Sequence, residues 1–250
     1  MTLDQRKTFI ISGDEASRRS FVRSAGAMGT SLLLVGCARF NETGPEQKSS
    51  SKQESKEEIS PAEDLMREHG VLDRVLLVYE EGMRRLNSRQ DFDPAVLAGS
   101  SGIVRRFIED YHEKLEQDHL FPRLEKAGKL VDLVAVLRQQ HEAGRRITEQ
   151  IQHLATLEAL KDPEDHHKID DLLRKFIRMY RPHAAREDTV LFPAFRQIVT
   201  PNEYDSLGEQ FEDEEHKLFG DDGFEKMVDE VAGLEKKVGI DDLARFTPAS

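Results

Sequence analysis

Two copies of a short motif hold the residues of this sequence that are best suited to bind a metal ion. The motif is His-x-x-x-Glu-x-x-x-Leu-Phe-Pro, and its copies begin at His112 and His183. A single histidine precedes each copy, since His69 lies 43 residues before the first and His141 lies 42 residues before the second. Imidazole and carboxylate are typical ligands of first-row transition metals. The internal repeat therefore predicts a metal site built from four histidines and the two motif glutamates, Glu116 and Glu187.

These residues can meet only if the chain folds back between them. Turn signals lie halfway between successive histidines, at residues 88–91, 127–128 and 162–163. A reversal at each turn gives four antiparallel helices with all four histidines at one height. Residues four apart share a helix face, so each motif glutamate lies on the face of its histidine. The sequence predicts an all-α fold, an up-down four-helix bundle with the site in its core.

The spacing of apolar residues supports four helices. Apolar side chains recur every three or four positions in four stretches, and Asp162 with Pro163 predicts the N-cap and first residue of the fourth helix. Pro182 predicts a bend in that helix at the site. Residues 202–239 predict two further amphipathic helices on the outside of the bundle, separated by a glycine-rich break. We assign residues 61–200 to the bundle and 201–250 to a C-terminal helical extension.

Composition narrows the function classes. The chain is 34% charged and 7% aromatic and has no tryptophan, which favours long helices. Its net charge of −12 argues against a nucleic-acid partner, which requires a basic face. With Cys37 as its one cysteine, the chain forms no intrachain disulfide and no cysteine-rich zinc site.

Residues 1–37 resemble a bacterial export signal. Residues 17–22 read Ser-Arg-Arg-Ser-Phe-Val, similar to the twin-arginine consensus, and residues 34–37 read Leu-Val-Gly-Cys, similar to a lipobox. The resemblance implies cleavage before Cys37, lipidation of that residue, and a periplasmic or cell-surface lipoprotein anchored to a membrane. Residues 38–60 are almost entirely polar, so we expect a flexible linker there.

The repeated motif, with one lone histidine on each preceding helix, resembles the hemerythrin-like (HHE cation-binding) domain over about residues 61–200. The resemblance implies two iron ions in a non-haem centre, bridged by carboxylates and by an oxo or hydroxo group. Each iron would keep an open position for a diatomic ligand, and manganese or zinc stays open as an alternative metal. The implied ligands are His69 and His112 on one iron, His141 and His183 on the other, and Glu116 and Glu187 as bridges.

Two departures distinguish this sequence from the oxygen-carrying hemerythrins. Those carriers place a second histidine one turn after the residue corresponding to His141, where this sequence has Arg145. Their second bridge is an aspartate five residues after the motif histidine, whereas Glu187 lies four residues after His183. Both departures resemble bacterial di-iron proteins linked to iron–sulfur cluster repair and nitric oxide stress, and they weaken the case for reversible oxygen carriage. We expect Arg145 and His119 beside the ligands rather than among them.

Three function classes fit such a centre. The first is binding or sensing of O2 or NO, the second is a redox enzyme such as an oxidase, peroxidase or NO reductase, and the third is iron storage or donation for metal-centre repair. No proton-delivery residue or substrate pocket is evident in the sequence, which favours binding. An extracytoplasmic location counts against cluster repair, whose usual clients are cytoplasmic. The sequence identifies neither the redox partner nor the oligomeric state.

Overall fold

The computed structural model describes residues 59–248, and these residues form helices without a strand. Four long helices, residues 61–87, 94–126, 131–154 and 163–198, pack as an up-down bundle, and each contacts its neighbours in the order predicted. The export signal, Cys37 and nearly all of the linker lie outside the described residues. The helices are α1 (Pro61–Asn87), α2 (94–126), α3 (Val131–Leu154), α4 (Leu157–Lys161), α5 (163–198), α6 (Pro201–Phe219) and α7 (Gly223–Val238), followed by a 3₁₀ turn (Leu243–Phe246).

Four of these helices begin with the same local signal, a capping side chain followed by proline. The capping residues of α1, α2, α5 and α6 are Ser60, Asp93, Asp162 and Thr200. The side-chain oxygen of each accepts a backbone N–H of the first turn, and proline has no N–H to leave unsatisfied there. Each cap contributes about 1 kcal/mol to helix stability. The predicted start of the fourth bundle helix at Asp162 is confirmed, and that helix continues through Pro182.

Both motif copies end in a π-helical turn, a feature that the sequence pattern did not predict. The turns are Glu116–Leu120 in α2 and Glu187–Leu191 in α5. Pro122 and Pro193 follow them and cannot donate to the carbonyl four residues back. The N–H of the preceding phenylalanine donates instead to the carbonyl of the motif glutamate, five residues back. Each Leu-Phe-Pro sequence therefore widens its helix directly after a predicted ligand.

The C-terminal extension packs against α1 and α2. Phe211 of α6 and Val231 of α7 are fully buried, and Arg74 of α1 donates to Glu235 of α7 at 2.6 and 2.9 Å. Gly220 ends α6 with φ of 80°, which confirms the predicted break between two helices. Within residues 59–248, no helix is both long and apolar enough to cross a bilayer.

Candidate metal centre

The six predicted ligands lie together in the bundle core. Each is at most 4% exposed. They form two overlapping groups, and in each group one ligand atom per residue lies within 4.8 Å of the others. The first group contains His69 and His112, the second contains His141 and His183, and both groups contain Glu116 and Glu187.

Each glutamate lies between the two groups. Glu187 Oε2 is 3.4 Å from His69 Nε2 and 3.1 Å from His183 Nε2, so it contacts one histidine of each group. Glu116 Oε2 makes the equivalent approach, at 3.7 Å to the motif histidine of its own helix and 3.5 Å to the lone histidine of α3. A carboxylate in this position has the placement that a bridging ligand requires.

The polar atoms at the centre fit a metal better than they fit a purely protein core. Among the described residues, no hydrogen-bond partner reaches either oxygen of Glu116, either oxygen of Glu187, or Nε2 of His112. An unpaired buried polar atom costs about 1–3 kcal/mol, so five of them would be a heavy structural burden. His141 Nε2 and His183 Nε2 are 3.2 Å apart, close to the spacing of neighbouring ligands on an ion with bonds of about 2.1 Å. A nitrogen and carboxylate donor set of this kind suits a transition metal.

In each of the four predicted ligand histidines, Nδ1 points away from the centre and contacts a polar side chain. Such a partner orients the ring and directs Nε2 to the centre. Sequence reasoning missed all four partners, although each is adjacent to a predicted ligand. The pairs are His69 Nδ1 with Asp188 (2.7 Å), His112 Nδ1 with Glu68 (2.8 Å), His141 Nδ1 with Gln117 (3.0 Å) and His183 Nδ1 with Gln140 (2.8 Å).

The motif phenylalanines pack on the lone histidines. Phe121 stacks on His141 with ring centroids 5.6 Å apart and planes 22° apart, and Phe192 stacks on His69 at 5.7 Å and 16°. Each motif copy thus supplies its phenylalanine to the lone histidine of the other. The π-helical turn lies directly before each phenylalanine, which links the Leu-Phe-Pro sequence to the support of a ligand.

Burial and nearby charges shift the pKa values of the side chains at the centre in opposite directions. Burial, and next the charge of Glu187, raises the pKa of Glu116 well above its usual range. Burial opposes ionisation of Glu187 as well, but His183 holds the pKa of that carboxyl well below its usual range. Burial also opposes a charge on His69, yet the hydrogen bond to Asp188 and the nearby carboxylate of Glu187 raise its pKa to about 9. A cation that binds here displaces protons from Glu116 and His69.

A second polar network lies beside the ring of His183. The Tyr180 hydroxyl donates to Glu113 Oε1 at 2.7 Å, and Arg145 donates to Glu113 Oε2 at 3.0 Å. Burial raises the pKa of Glu113 to about 8. Gly144 leaves room for the tyrosine, since a Cβ at that position would overlap the hydroxyl. Arg145, which the sequence placed beside the ligands, reaches them through Glu113, the neighbour of a motif histidine.

His119 packs against the C-terminal extension. Its half-buried ring is 5.4 Å from that of Phe211 in the extension, and its backbone carbonyl accepts from Arg123. Glu215 of α6 is fully buried, and its carboxylate lies within 4.8 Å of those of Glu68 and Asp64. The extension thus contacts the residues around the first group, which no sequence pattern indicated.

Comparison with known proteins agrees with this geometry. Residues 60–195 match the family described as "Hemerythrin HHE cation binding domain". An uncharacterized protein of Mycobacterium tuberculosis and one of Mycobacterium bovis are each 44% identical over 226 residues, which are 90% of this chain and 88% of theirs. A match of that length extends beyond residues 60–195 on both sides. No solved structure matches significantly. On the family match and on the buried histidine–glutamate groups, the chain belongs to the hemerythrin HHE cation-binding domain family.

Proposed function

We propose that this chain is an extracytoplasmic non-haem di-iron protein that binds or senses O2 or NO. The observation that carries the proposal is the convergence of four imidazoles and two carboxylates whose buried oxygens lack hydrogen-bond partners among the described residues. Iron in such a centre supplies a coordination position that a diatomic gas can fill.

The proposed ligands form two metal-binding positions. His69 and His112 would hold the first iron, and the corresponding pair in α3 and α5 would hold the second. Glu116 and Glu187 would bridge the two, because each approaches one histidine of each pair. Two carboxylates also offset part of the charge of two buried cations. The hydrogen bonds at Nδ1 and the stacked phenylalanines keep the rings in place for both positions.

The test is the metal content and visible spectrum of the purified full-length chain, before and after exposure to O2 and to NO. We expect about two irons per chain and an oxo-bridge absorption that changes reversibly with one of the gases. That gas is then the ligand. A chain that purifies with zinc, or without metal and without a spectrum, contradicts a di-iron function.

The enzymatic alternative is favoured by one observation, the hydrogen-bonded pair of Tyr180 and Glu113 beside His183. Reduction of O2, peroxide or NO consumes protons, and a hydroxyl next to a carboxyl is a pair that transfers them. Turnover of peroxide or NO with an electron donor, compared between wild type and Tyr180→Phe, separates the two classes. Turnover no faster than that of free iron excludes the enzyme, and iron uptake far beyond two per chain indicates a store.

We further propose that the chain reaches its location by the twin-arginine route with Cys37 as its lipid anchor. This route, by resemblance, exports folded protein, so iron can be inserted before export, away from copper and zinc, which bind nitrogen and oxygen sites more tightly. Replacing Arg18 and Arg19 with lysine should retain a metal-bound precursor inside the cell, measured by fractionation and metal analysis. Export at the wild-type level argues against the route, and Cys37→Ser with unchanged membrane association argues against the anchor.

A further inference from the structure

The two histidine pairs differ in the chemistry of their hydrogen-bond partners. Both histidines of the first pair meet carboxylates, Asp188 and Glu68, at 2.7 and 2.8 Å. Both histidines of the second pair meet carboxamides, Gln117 and Gln140, at 3.0 and 2.8 Å. Carboxylates thus contact only the first pair and carboxamides only the second, although each pair takes one partner from its own repeat and one from the other repeat.

The positions of the four partners are equivalent, so the difference lies in the side chains alone. Glu68 and Gln140 each directly precede a lone histidine, and each contacts the motif histidine of the following bundle helix. Gln117 and Asp188 each directly follow a motif glutamate, and each contacts the lone histidine of the other copy. One backbone arrangement thus holds two carboxylates around the first pair and two carboxamides around the second.

The wider charge distribution follows the same division. Asp73, four residues after His69, lies close enough for the charge of that histidine to act on its carboxyl group, and Asp188 hydrogen-bonds the same ring. The equivalent position four residues after His141 is Arg145, whose positive charge lowers the pKa of His141 in addition to the larger effect of burial. Arg138 also lies 5.0 Å over the Phe121 ring that stacks on His141. The arginines near both pairs have carboxylate partners of their own: Arg181 with Glu80 at 2.9 Å, Arg145 with Glu113 at 3.0 Å and Arg138 with Glu125 at 3.3 Å.

These partners act on a metal through the imidazole ring. A histidine that binds metal through Nε2 carries its proton on Nδ1, so its partner must accept. A carboxylate accepts in every orientation, polarises the N–H and raises the basicity of the ligand nitrogen. A carboxamide accepts more weakly and only through its oxygen. The first pair thus has two carboxylates, each one imidazole ring away from the metal position.

We propose that the two metal positions are unequal, with the His69–His112 position filling first and binding more tightly, and the His141–His183 position holding the exchangeable ion. Asp188 and Glu68 are positioning residues for the first position, and Gln117 and Gln140 for the second. The inference rests on the proposed two-metal centre. It makes the second position the one whose metal is lost when the ion is scarce.

The experiment is an anaerobic Co²⁺ titration of the metal-free full-length chain, followed by visible absorption. We expect two steps whose dissociation constants differ by about 10- to 100-fold, the range by which such partners change metal affinity. His69→Ala should remove the tight step, and His141→Ala the weak one. Glu142→Gln, an exposed change on α3 next to His141, is the matched control and should leave both steps unchanged.

Exchange of the partners gives the decisive comparison. Glu68→Gln or Asp188→Asn should weaken the tight step by about 10-fold or more, whereas Gln140→Glu or Gln117→Glu should strengthen the weak step. A purely structural role cannot account for a substitution that improves affinity. Circular dichroism identifies any variant that fails to fold. If one of two alternative variants does not fold, the other tests the same metal position.

The outcomes separate this inference from the proposed function. Two ions bound with equal constants, a tight step that survives His69→Ala, or a tight step unmoved by both Glu68→Gln and Asp188→Asn overturns the inequality and leaves the two-metal centre standing. A wild-type chain that binds no Co²⁺ overturns the proposed centre itself.

Discussion

The two repeats, α1–α2 and α3–α5, share the parts that hold a ligand in place and differ in the parts that set its surroundings. Both contain a lone histidine, a motif histidine, a motif glutamate, and a π-helical turn followed by a stacked phenylalanine and a proline. Only the first repeat has a further π-helical stretch, Val104–His112, which ends at its motif histidine. Three residues before the motif histidine, however, the first repeat has Glu109 and the second has Tyr180. Four residues after the lone histidine they have Asp73 and Arg145.

The comparison shows which features a duplicated site must keep. Ligand positions depend on helix register and on packing, and a change in either would move several groups at once. The acceptor strength of a hydrogen-bond partner depends on one side chain, and glutamate and glutamine have nearly the same shape. The repeats can therefore keep one geometry while the charge around the two histidine pairs differs.

The largest expected effect comes from the residues that both repeats share. Glu187→Ala should lose both metal ions, because its carboxylate lies between a histidine of each pair. His69→Ala should lose the ion of its own pair first. Metal analysis after dialysis at equal protein concentration measures both. If Glu187→Ala keeps one full equivalent, the carboxylate serves one position alone and is not a bridge.

Removal of a motif phenylalanine should cost the two repeats about equally. Phe121 and Phe192 are both buried and stack on a lone histidine in nearly the same geometry. Phe→Ala at either position should lower the free energy of unfolding by about 3–5 kcal/mol, measured by urea denaturation of metal-free protein. Phe→Leu keeps most of the volume and is the milder companion at each position, at about 1–1.5 kcal/mol. Losses that differ by several-fold between the repeats would show that the shared frame is not equivalent.

Much of the site was predictable because histidine spacing fixes height along a bundle axis. Once turns separate the helices, residues at matching distances from those turns must meet. The bundle and the meeting of the four histidines follow from that argument, the two glutamates from their four-residue spacing, and the break at Gly220 from the glycine-rich segment there. The family match agrees over residues 60–195.

What the sequence did not predict depends on contacts across helices. Glu68 and Asp188 read as ordinary charged residues, and their contacts with histidines are set by how the helices rotate about their axes. Glu215 belongs to an acidic run that is typical of an exposed face, yet it is fully buried. The π-helical turns had a local signal in Pro122 and Pro193, but a proline after a helical pattern more often marks an end or a bend.

A smaller effect should come from a glycine that only the second repeat uses. Gly144→Ala should cost about 1–3 kcal/mol, because the new Cβ overlaps the buried Tyr180 hydroxyl and the surroundings are closely packed. Gly233→Ala is the control, since nothing lies within 4 Å of its Cβ position, and it should stabilise α7 by up to about 1 kcal/mol. The position equivalent to Gly144 in the first repeat is Leu72, which is buried.

Thermal and urea unfolding of the Gly144→Ala variant check the cost, and a Tyr180→Leu background checks its cause. In that background the same substitution should cost clearly less, as expected for residues in contact. An equal cost in both backgrounds would assign the effect to the helix backbone rather than to the tyrosine.

The smallest expected effects lie far from the centre, where the repeats should behave alike. Glu81 in α1 and Asp170 in α5 are each twelve or thirteen residues from a ligand of their own helix, which is about 18–20 Å. A hydrogen bond from Arg84 lowers the pKa of Glu81 to about 2. Burial opposes this shift, and a second hydrogen bond, from Arg85, supports it. Burial opposes the shift at Asp170, but Arg174 lowers its pKa as well.

Because both carboxyl groups have lower pKa values in the folded chain, their stabilisation is present above the unfolded values near 4 and is lost as the pH falls toward 2. Both side chains lie in ion pairs at the bundle surface and are partly exposed, so Glu81→Gln and Asp170→Asn should each cost less than about 1 kcal/mol at pH 7 and less still at pH 3. Urea denaturation at the two pH values measures this difference. Neither variant should change the metal content. A loss of metal in one of them would extend the difference between the repeats to the far end of the bundle, because a surface ion pair would then control the position of a ligand a full three turns away.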